Sequence, residues 1–339
     1  MPIIEFLLNI AGATVLLLFA VKMVQTGVEQ AYGPSFRRVM MRSRAKVSAT
    51  FCGALLALIM QSSMAVTILV SGLLGSSVLS FELGLAATLG ADLGSALVIQ
   101  FLSLDIHWLA PLMLVVGGLM LLKSDTPLFR QIGRVIMGVA LILIALSLIR
   151  TSVSPFSNSS YLTDFALILE RDFLTAFLIG ALLAFLLHSS VAAVLMFVAL
   201  VTSEALPLMV GVSLVLGANL GSSLLPIWMT RTMSPKARQL PLMNLFIRGG
   251  AALSMVVIVN RTHLFAHLSE IHVGQQIILT HIIFNAMLLV AIPFSGLIGR
   301  CATRLLPEHL VPNENMPAHY RSVLDKNTLG TPSLALACI

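Results

Sequence analysis

Charge is what this sequence has least of. Of 339 residues, 10% are Asp, Glu, Lys or Arg and 58% are apolar. Soluble domains carry roughly 25% charged residues, so the chain cannot cover a water-facing surface and a soluble globular protein is excluded. Cysteine is scarce too. Cys52, Cys301 and Cys338 show neither CxxC spacing nor an even count, which excludes a disulfide framework and a thiolate metal site. The start, MPIIEFLLNIAGATVLLLFAVKMV, lacks a basic leader and a small-residue cleavage site and carries Glu5 instead. It reads as a first span and not as a secretory signal. The net charge of +6 is scattered over short loops, a pattern of membrane orientation and not of nucleic-acid binding.

What is there instead is apolar length. Spans are expected at about 4–24, 83–103, 108–122, 132–150, 207–229, 240–260 and 275–299. Two further segments fit badly. Residues 47–81 give 35 uncharged positions and 173–203 give 31, whereas one crossing needs about 20. Two crossings and a turn need more than either has. Each segment is therefore expected to enter the membrane, turn near its middle and leave on the same side. With the N-terminus outside, the short cytoplasmic loops hold Arg37, Arg38, Arg42, Arg44 and Lys46, then Lys123, Arg130 and Arg134, then Arg231, Lys236 and Arg238, then Arg300 and Arg304. That satisfies the positive-inside rule and leaves the C-terminus cytoplasmic. The lipid bilayer, a cell membrane crossed many times, is the first partner implied.

Both ill-fitting segments carry a polar triplet, Gln61-Ser62-Ser63 and His188-Ser189-Ser190. The two lie 127 residues apart, and the offset holds without a gap from 53–97 to 180–224, with 19 of 45 positions identical. It also aligns GADLGS (90–95) with GANLGS (217–222). Chance similarity of apolar helices does not keep two polar motifs in register, so the chain contains an internal duplication. Three full crossings separate the triplets, so the second copy is inverted, the architecture of secondary transporters with a midplane site between repeats. The fold class expected is an all-α polytopic membrane protein with two inverted-topology repeats, each with a re-entrant helical hairpin. Repeat 1 is assigned to 1–130, repeat 2 to 131–305 and a cytoplasmic tail to 306–339.

A hairpin tip inside the bilayer leaves backbone groups without helical partners, which survive only in protein or in a wet cavity. The half-helix after each triplet offers free N–H groups and a positive dipole end to an anion. Gln61, Ser62, Ser63, His188, Ser189 and Ser190 are the candidate substrate-binding residues. Neutral donors suit an oxyanion that must leave again. His188 reads either as a satisfied buried histidine or as a pH-sensitive donor. The glycine motifs match the GxxxG packing signature, but a carboxylate in a span is a functional candidate by default. Asp92 and Asn219, with Ser95, Ser222, Ser223 and Thr67, are the candidate cation-binding residues, or supports of the hairpins; Asp92 as a proton carrier stays open. His281 and Asn285, one turn apart, read as interhelical hydrogen-bond formers or as support for the site, the latter favoured. Arg248, in NLFIRGG, reads as a side chain that snorkels to the cytoplasmic surface, the favoured reading, or as one that helps attract anions. Ser190 with His281 suggests a hydrolase only weakly: no GxSxG setting occurs, and an enzyme gives no reason for an inverted copy.

At QSSMAVT (61–67), at HSS (188–190), at both glycine motifs and at HIIFN (281–285), the sequence resembles the bacterial Na⁺/phosphate cotransporter family, related to the animal type II sodium–phosphate cotransporters. The resemblance covers residues 1–305 and implies Na⁺-coupled transport of inorganic phosphate, with no cofactor beyond Na⁺ as coupling ion and a homodimer left open. His188 in place of Gln, HSSVAAV without the hydroxyl-rich continuation, and Asp92 in place of Asn depart from its pattern. The alternatives are an H⁺-coupled carrier of phosphate or another oxyanion and a non-transporting phosphate-sensing regulator. The tail LDKNTLGTPSLALACI (324–339) resembles the linker and first residues of a PhoU-like domain, so the chain is expected to be a trimmed or shortened member of the PhoU-tailed branch.

Overall fold

A computed structural model describes residues 2–41, 43–103, 107–153, 160–262 and 271–307; the PhoU-like segment of the tail lies outside the described residues. Among the described residues every regular element is helical. The first unit comprises α1 (Pro2–Met41), α2 (Lys46–Met60), α3 (Ser63–Gly75), α4 (Phe81–Leu102) and α5 (Ala110–Lys123). Then come α6 (Pro127–Val153), α7 (Ser160–Arg171), α8 (Phe173–Leu186), α9 (Ser190–Thr202) and α10 (Leu208–Met229). The described residues end with α11 (Pro235–Asn244), α12 (Gly250–Arg261), α13 (Val273–Leu288) and α14 (Ser295–Leu305). Residues Leu245–Gly249 form a π-helical turn that fuses α11 to α12.

Six described segments are long and apolar enough to cross a membrane: Ile4–Tyr32, Phe81–Leu102, Pro127–Val153, Leu208–Met229, Pro235–Arg261 and Val273–Ala291. They correspond to six of the seven expected spans. The expected span at 108–122 is the 14-residue α5, about 21 Å long; a 3₁₀ turn at His107–Leu109 precedes it and adds about 6 Å. The expected span 275–299 needs correction. Its helix stops at Leu288, continues as a 3₁₀ turn to Ala291 and breaks before Pro293, which cannot donate to a helical ladder. The chain restarts as the separate α14.

Both ill-fitting segments break at their triplets. α2 and α3 have 15 and 13 residues, α8 and α9 have 14 and 13. At 1.5 Å per residue each is about 20–22 Å long, short of the roughly 30 Å hydrocarbon layer. The glycines show which way the chain runs. A Cβ on Gly90 would collide with the carbonyl oxygen of Thr50, and one on Gly94 with that of Ala54. Four residues along α4 thus match four along α2, so these helices run parallel and backbone to backbone. Only five residues join α3 to α4, so α4 starts where α3 ends, at the level where α2 began. α3 must therefore run back: the segment is re-entrant. The same contacts recur 127 residues later, Gly217 against Phe177 and Gly221 against Ala181, so α8 and α10 repeat the arrangement.

Gly27 on α1 meets Gln131 and Val135 on α6, and Gly138 on α6 meets Ala20 and Val24 on α1. Position numbers fall on one helix as they rise on the other, so α1 and α6 are antiparallel. These directions agree with the inverted repeat read from the sequence. α3 packs on α10 and α9 packs on α4, each hairpin's second arm touching the other repeat's long helix.

Candidate functional site

The triplets adopt the same strained conformation. Gln61 and His188 sit in the left-handed region at φ 52° and 51°, a placement that costs a non-glycine residue of order 1–3 kcal/mol and clusters at functional sites. Ser62 and Ser189 follow in extended conformation at φ −154° and −155°. Each hydroxyl accepts the N–H three residues on, from Ala65 and Ala192, both at 3.1 Å. A serine side chain in this role caps the N-terminus of the helix that follows. The N–H groups of Ser63 and Met64, and of Ser190 and Val191, open their helices and have no intrahelical acceptor.

The two tips meet. Gln61, Ser62, Ser63 and Met64 line one small cavity together with His188, Ser189, Ser190 and Val191, and Gln25, Ser222 and Leu225 complete it. All six triplet residues are thus brought to one place. The cavity measures about 20 Å³, room for a water-sized species. Gln25 Nε2 donates to the Gln61 carbonyl at 3.2 Å, tying α1 to the first tip. The Gln61 Oε1 atom is buried without a hydrogen-bond partner among the described residues. His188 is exposed and not the buried histidine of one reading. Its Nδ1 lies 3.0 Å from the Leu186 carbonyl, a contact that needs the proton on Nδ1 and leaves Nε2 the acceptor of the neutral ring. A larger cavity of about 420 Å³ lies at the ends of α4, α6 and α9 and is lined by Ser103, Arg150, Thr202 and His272. It shares no residue with the tips.

A second cluster lies between α4 and α10. Asp92 and Asn219 are each the twelfth residue of a 22-residue helix, 127 positions apart. One side chain bridges them. Arg248 Nη1 donates to Asp92 Oδ1 at 2.6 Å, while Nη2 and Nε donate to Asn219 Oδ1 at 2.8 and 3.2 Å. Both Arg248 and Asp92 are 1% exposed. The expectation that Arg248 snorkels to the surface is therefore overturned: the π-helical turn that carries it adds a residue to the coil and faces it inward, and a buried carboxylate offers more than a distant headgroup layer. Asn244 Nδ2 donates to Asp92 Oδ2 at 3.2 Å. His281 Nδ1 lies 3.2 Å from Asn219 Nδ2, and Asn285 Nδ2 donates to the His281 carbonyl at 2.7 Å, so α13 braces Asn219.

The other hydroxyls named from the sequence do not converge. Ser95 and Ser222, again 127 apart, donate to the carbonyls of Asp92 and Asn219. Ser223 donates to Leu220 and Thr67 to Ser63. Of these four, Ser222 lines the tip cavity and Ser95, Ser223 and Thr67 do not. Sequence reasoning missed Gln25, which sits between Lys22 and Glu29 and so looks like the polar end of the first span. It also missed Asn244, whose only signal is its place four residues before Arg248.

Paired broken hairpins meeting tip to tip, inside a bundle of apolar helices with a second polar cluster at mid-helix, define a multi-pass membrane protein with the broken-helix architecture that secondary transporters use. The family described as Na⁺/Pi-cotransporter matches residues 16–151 and 160–290, and the chain belongs to that family. Among curated proteins, it is 33% identical over 337 residues to the putative inorganic phosphate export protein YjbB of Escherichia coli (strain K12) and 32% identical to that of Salmonella typhimurium, in each case over 98% of this chain. The chain spans 61% of the length of those relatives. It is 24% identical to an uncharacterized protein, YqeW, of Bacillus subtilis, over 89% of this chain and 99% of that one. No solved structure matches.

Proposed function

We propose that this chain carries inorganic phosphate across a cell membrane by alternating access, with Na⁺ as the coupling ion, the N-terminus outside and the C-terminus in the cytoplasm. The observation that carries the reading is the meeting of two equivalent helix starts, at Ser63 and Ser190, on one cavity. Each contributes free N–H groups and the positive end of a helix dipole, and the serines, Gln61 and Gln25 add neutral donors. An oxyanion held by such donors is bound without being trapped. A 20 Å³ cavity is too small for it, so the tips must part to admit it. The family description supports both phosphate and Na⁺; the names of the phosphate-export relatives support phosphate. Orientation rests on the basic loops.

The test is flux of labelled phosphate into liposomes, with and without a Na⁺ gradient. Uptake is expected to follow the Na⁺ gradient. Ser63→Ala and Ser190→Ala are each expected to lower it at least tenfold, about the effect of one lost charge-assisted hydrogen bond, with normal membrane insertion. Flux that ignores Na⁺ and follows pH replaces Na⁺ by H⁺ in the reading. Unchanged flux in both variants puts the site elsewhere.

A further inference from the structure

We infer that Arg248 is a tethered cation, seated where a coupling Na⁺ would otherwise bridge the two repeats. The inference deepens the cation half of the proposed function and rests on that reading for its role in transport.

The geometry is that of a cation site already filled. Asp92 and Asn219 occupy equivalent places in the two repeats, and the Oδ1 atom of each turns to one common point. The guanidinium of Arg248 stands there, with three donors at 2.6 to 3.2 Å. One carboxylate and neutral amide oxygens are the hard ligands a bare Na⁺ takes, by the same logic that suits oxygen cages to Ca²⁺ and Mg²⁺. More such oxygens stand close by. Asn244, bonded to Asp92, and Asn285, whose Nδ2 lies 3.4 Å from Asn219 Oδ1, both bury an Oδ1 atom that has no hydrogen-bond partner among the described residues. The guanidinium is thus held by oxygens of Asp92 and Asn219, while Asn244 and Asn285 stand one hydrogen bond further out, each with a buried amide oxygen still unused.

Charge decides the occupant. A lone carboxylate at mid-span costs at least about 2.5–3.5 kcal/mol on insertion scales, so Asp92 demands a positive partner. Arg248 supplies it covalently, and its own 1% exposure keeps water and ions from competing. It does not line the cavity between the tips, which separates it from a substrate-anchoring arginine. Two consequences follow. A free Na⁺ has no seat at Asp92 while Arg248 is in place, and the chain binds one Na⁺ fewer than the same cage without the arginine.

The test is Na⁺ binding, independent of flux. Wild type, Arg248→Gln, Arg248→Lys and the Asp92→Asn/Arg248→Gln double variant are purified in one detergent. Binding of radiolabelled Na⁺ is counted, and melting is followed in NaCl and in choline chloride. Arg248→Gln is expected to bind one Na⁺ more per chain than wild type. Its folded-to-unfolded ratio is expected to rise about tenfold for each tenfold rise of Na⁺ above the dissociation constant, by mass action. Arg248→Lys keeps a cation in the cage and should gain no site. The double variant removes the carboxylate's charge with the guanidinium's and should gain none either. A wild-type Na⁺ count in Arg248→Gln overturns the inference. So does Arg248→Gln unfolding equally in NaCl and choline, because a cage that Na⁺ can fill is restored by Na⁺. A gained site in the double variant shows that Asp92 is not the ligand and overturns it as well. Absence of phosphate flux from wild-type liposomes would refute the transport reading and leave these binding counts as they are.

Discussion

Removing one half of the buried pair, Asp92→Ala, is the sharpest perturbation the structure offers. The change deletes the 2.6 Å bond from Arg248 Nη1 and strands Asn244 Nδ2, which donates to the other carboxylate oxygen at 3.2 Å. Arg248 keeps its two bonds to the neutral Asn219 oxygen but loses its counter-charge, still 1% exposed. Breaking a buried ion pair from one side costs about 3–5 kcal/mol, because the remaining charge stays buried and uncompensated. At roughly 2 °C per kcal/mol for a chain of this size, the melting temperature in detergent should fall by roughly 6–10 °C. Arg248→Met in the same background removes the stranded charge and should recover most of the loss, since an apolar replacement of a whole buried pair is often neutral or stabilising. The assay is a thermal melt of wild type, Asp92→Ala, Arg248→Met and the double variant, read as a double-mutant cycle. A fall of less than about 2 °C in Asp92→Ala, under 1 kcal/mol on that scale, refutes the coupling. So does a double variant that melts no higher than Asp92→Ala.

Two further outcomes are expected. Gly90→Leu and Gly217→Leu should each force α4 from α2, or α10 from α8, because even a Cβ there meets the carbonyl of Thr50 or Phe177. Aggregation in size-exclusion chromatography is the readout, and a monodisperse variant melting like wild type contradicts the parallel contact. At the exposed start of α8, Asp172 accepts from the Thr175 hydroxyl at 2.5 Å and from the N–H groups of Leu174 and Thr175 at 3.1 Å. The Thr175 hydroxyl bond, foremost, holds its carboxyl below the ordinary carboxylate value. A lowered folded-state pKa stabilises above the unfolded value and is lost as pH falls through the folded one. The melting advantage of wild type over Asp172→Ala should therefore hold from neutrality to about pH 4 and shrink below it; an advantage gone near neutrality contradicts the cap.

The sequence by itself determined the membrane class, the duplication and the two triplets as a pair. These follow from quantities the chain carries locally: missing charge, run length against bilayer thickness, and a fixed offset of 127. Re-entry was legible as a surplus of apolar residues too long for one crossing and too short for two, and the parallel packing of α2 on α4 gave it a physical cause. The family was legible because its motifs are short and doubled.

Tertiary structure alone decided what each polar side chain faces. Arg248 lies near enough to a span's end to suggest escape to the surface, and hydropathy assigns a residue a depth but not a partner. The π-helical turn at Leu245–Gly249 reorients it by one residue, a local change no periodicity announces. Asp92, Asn219, Asn244 and Asn285 come from four places in the chain, and only the crossing of α4, α10 and α13 beside that turn makes them one hydrogen-bonded cluster. Gln25 joins the tips for the same reason: its neighbours in sequence are charged, while its neighbour in space is the carbonyl of Gln61. In a bilayer a buried polar group must find its partner within the protein, and the partner is fixed by packing, which spacing along the chain does not encode.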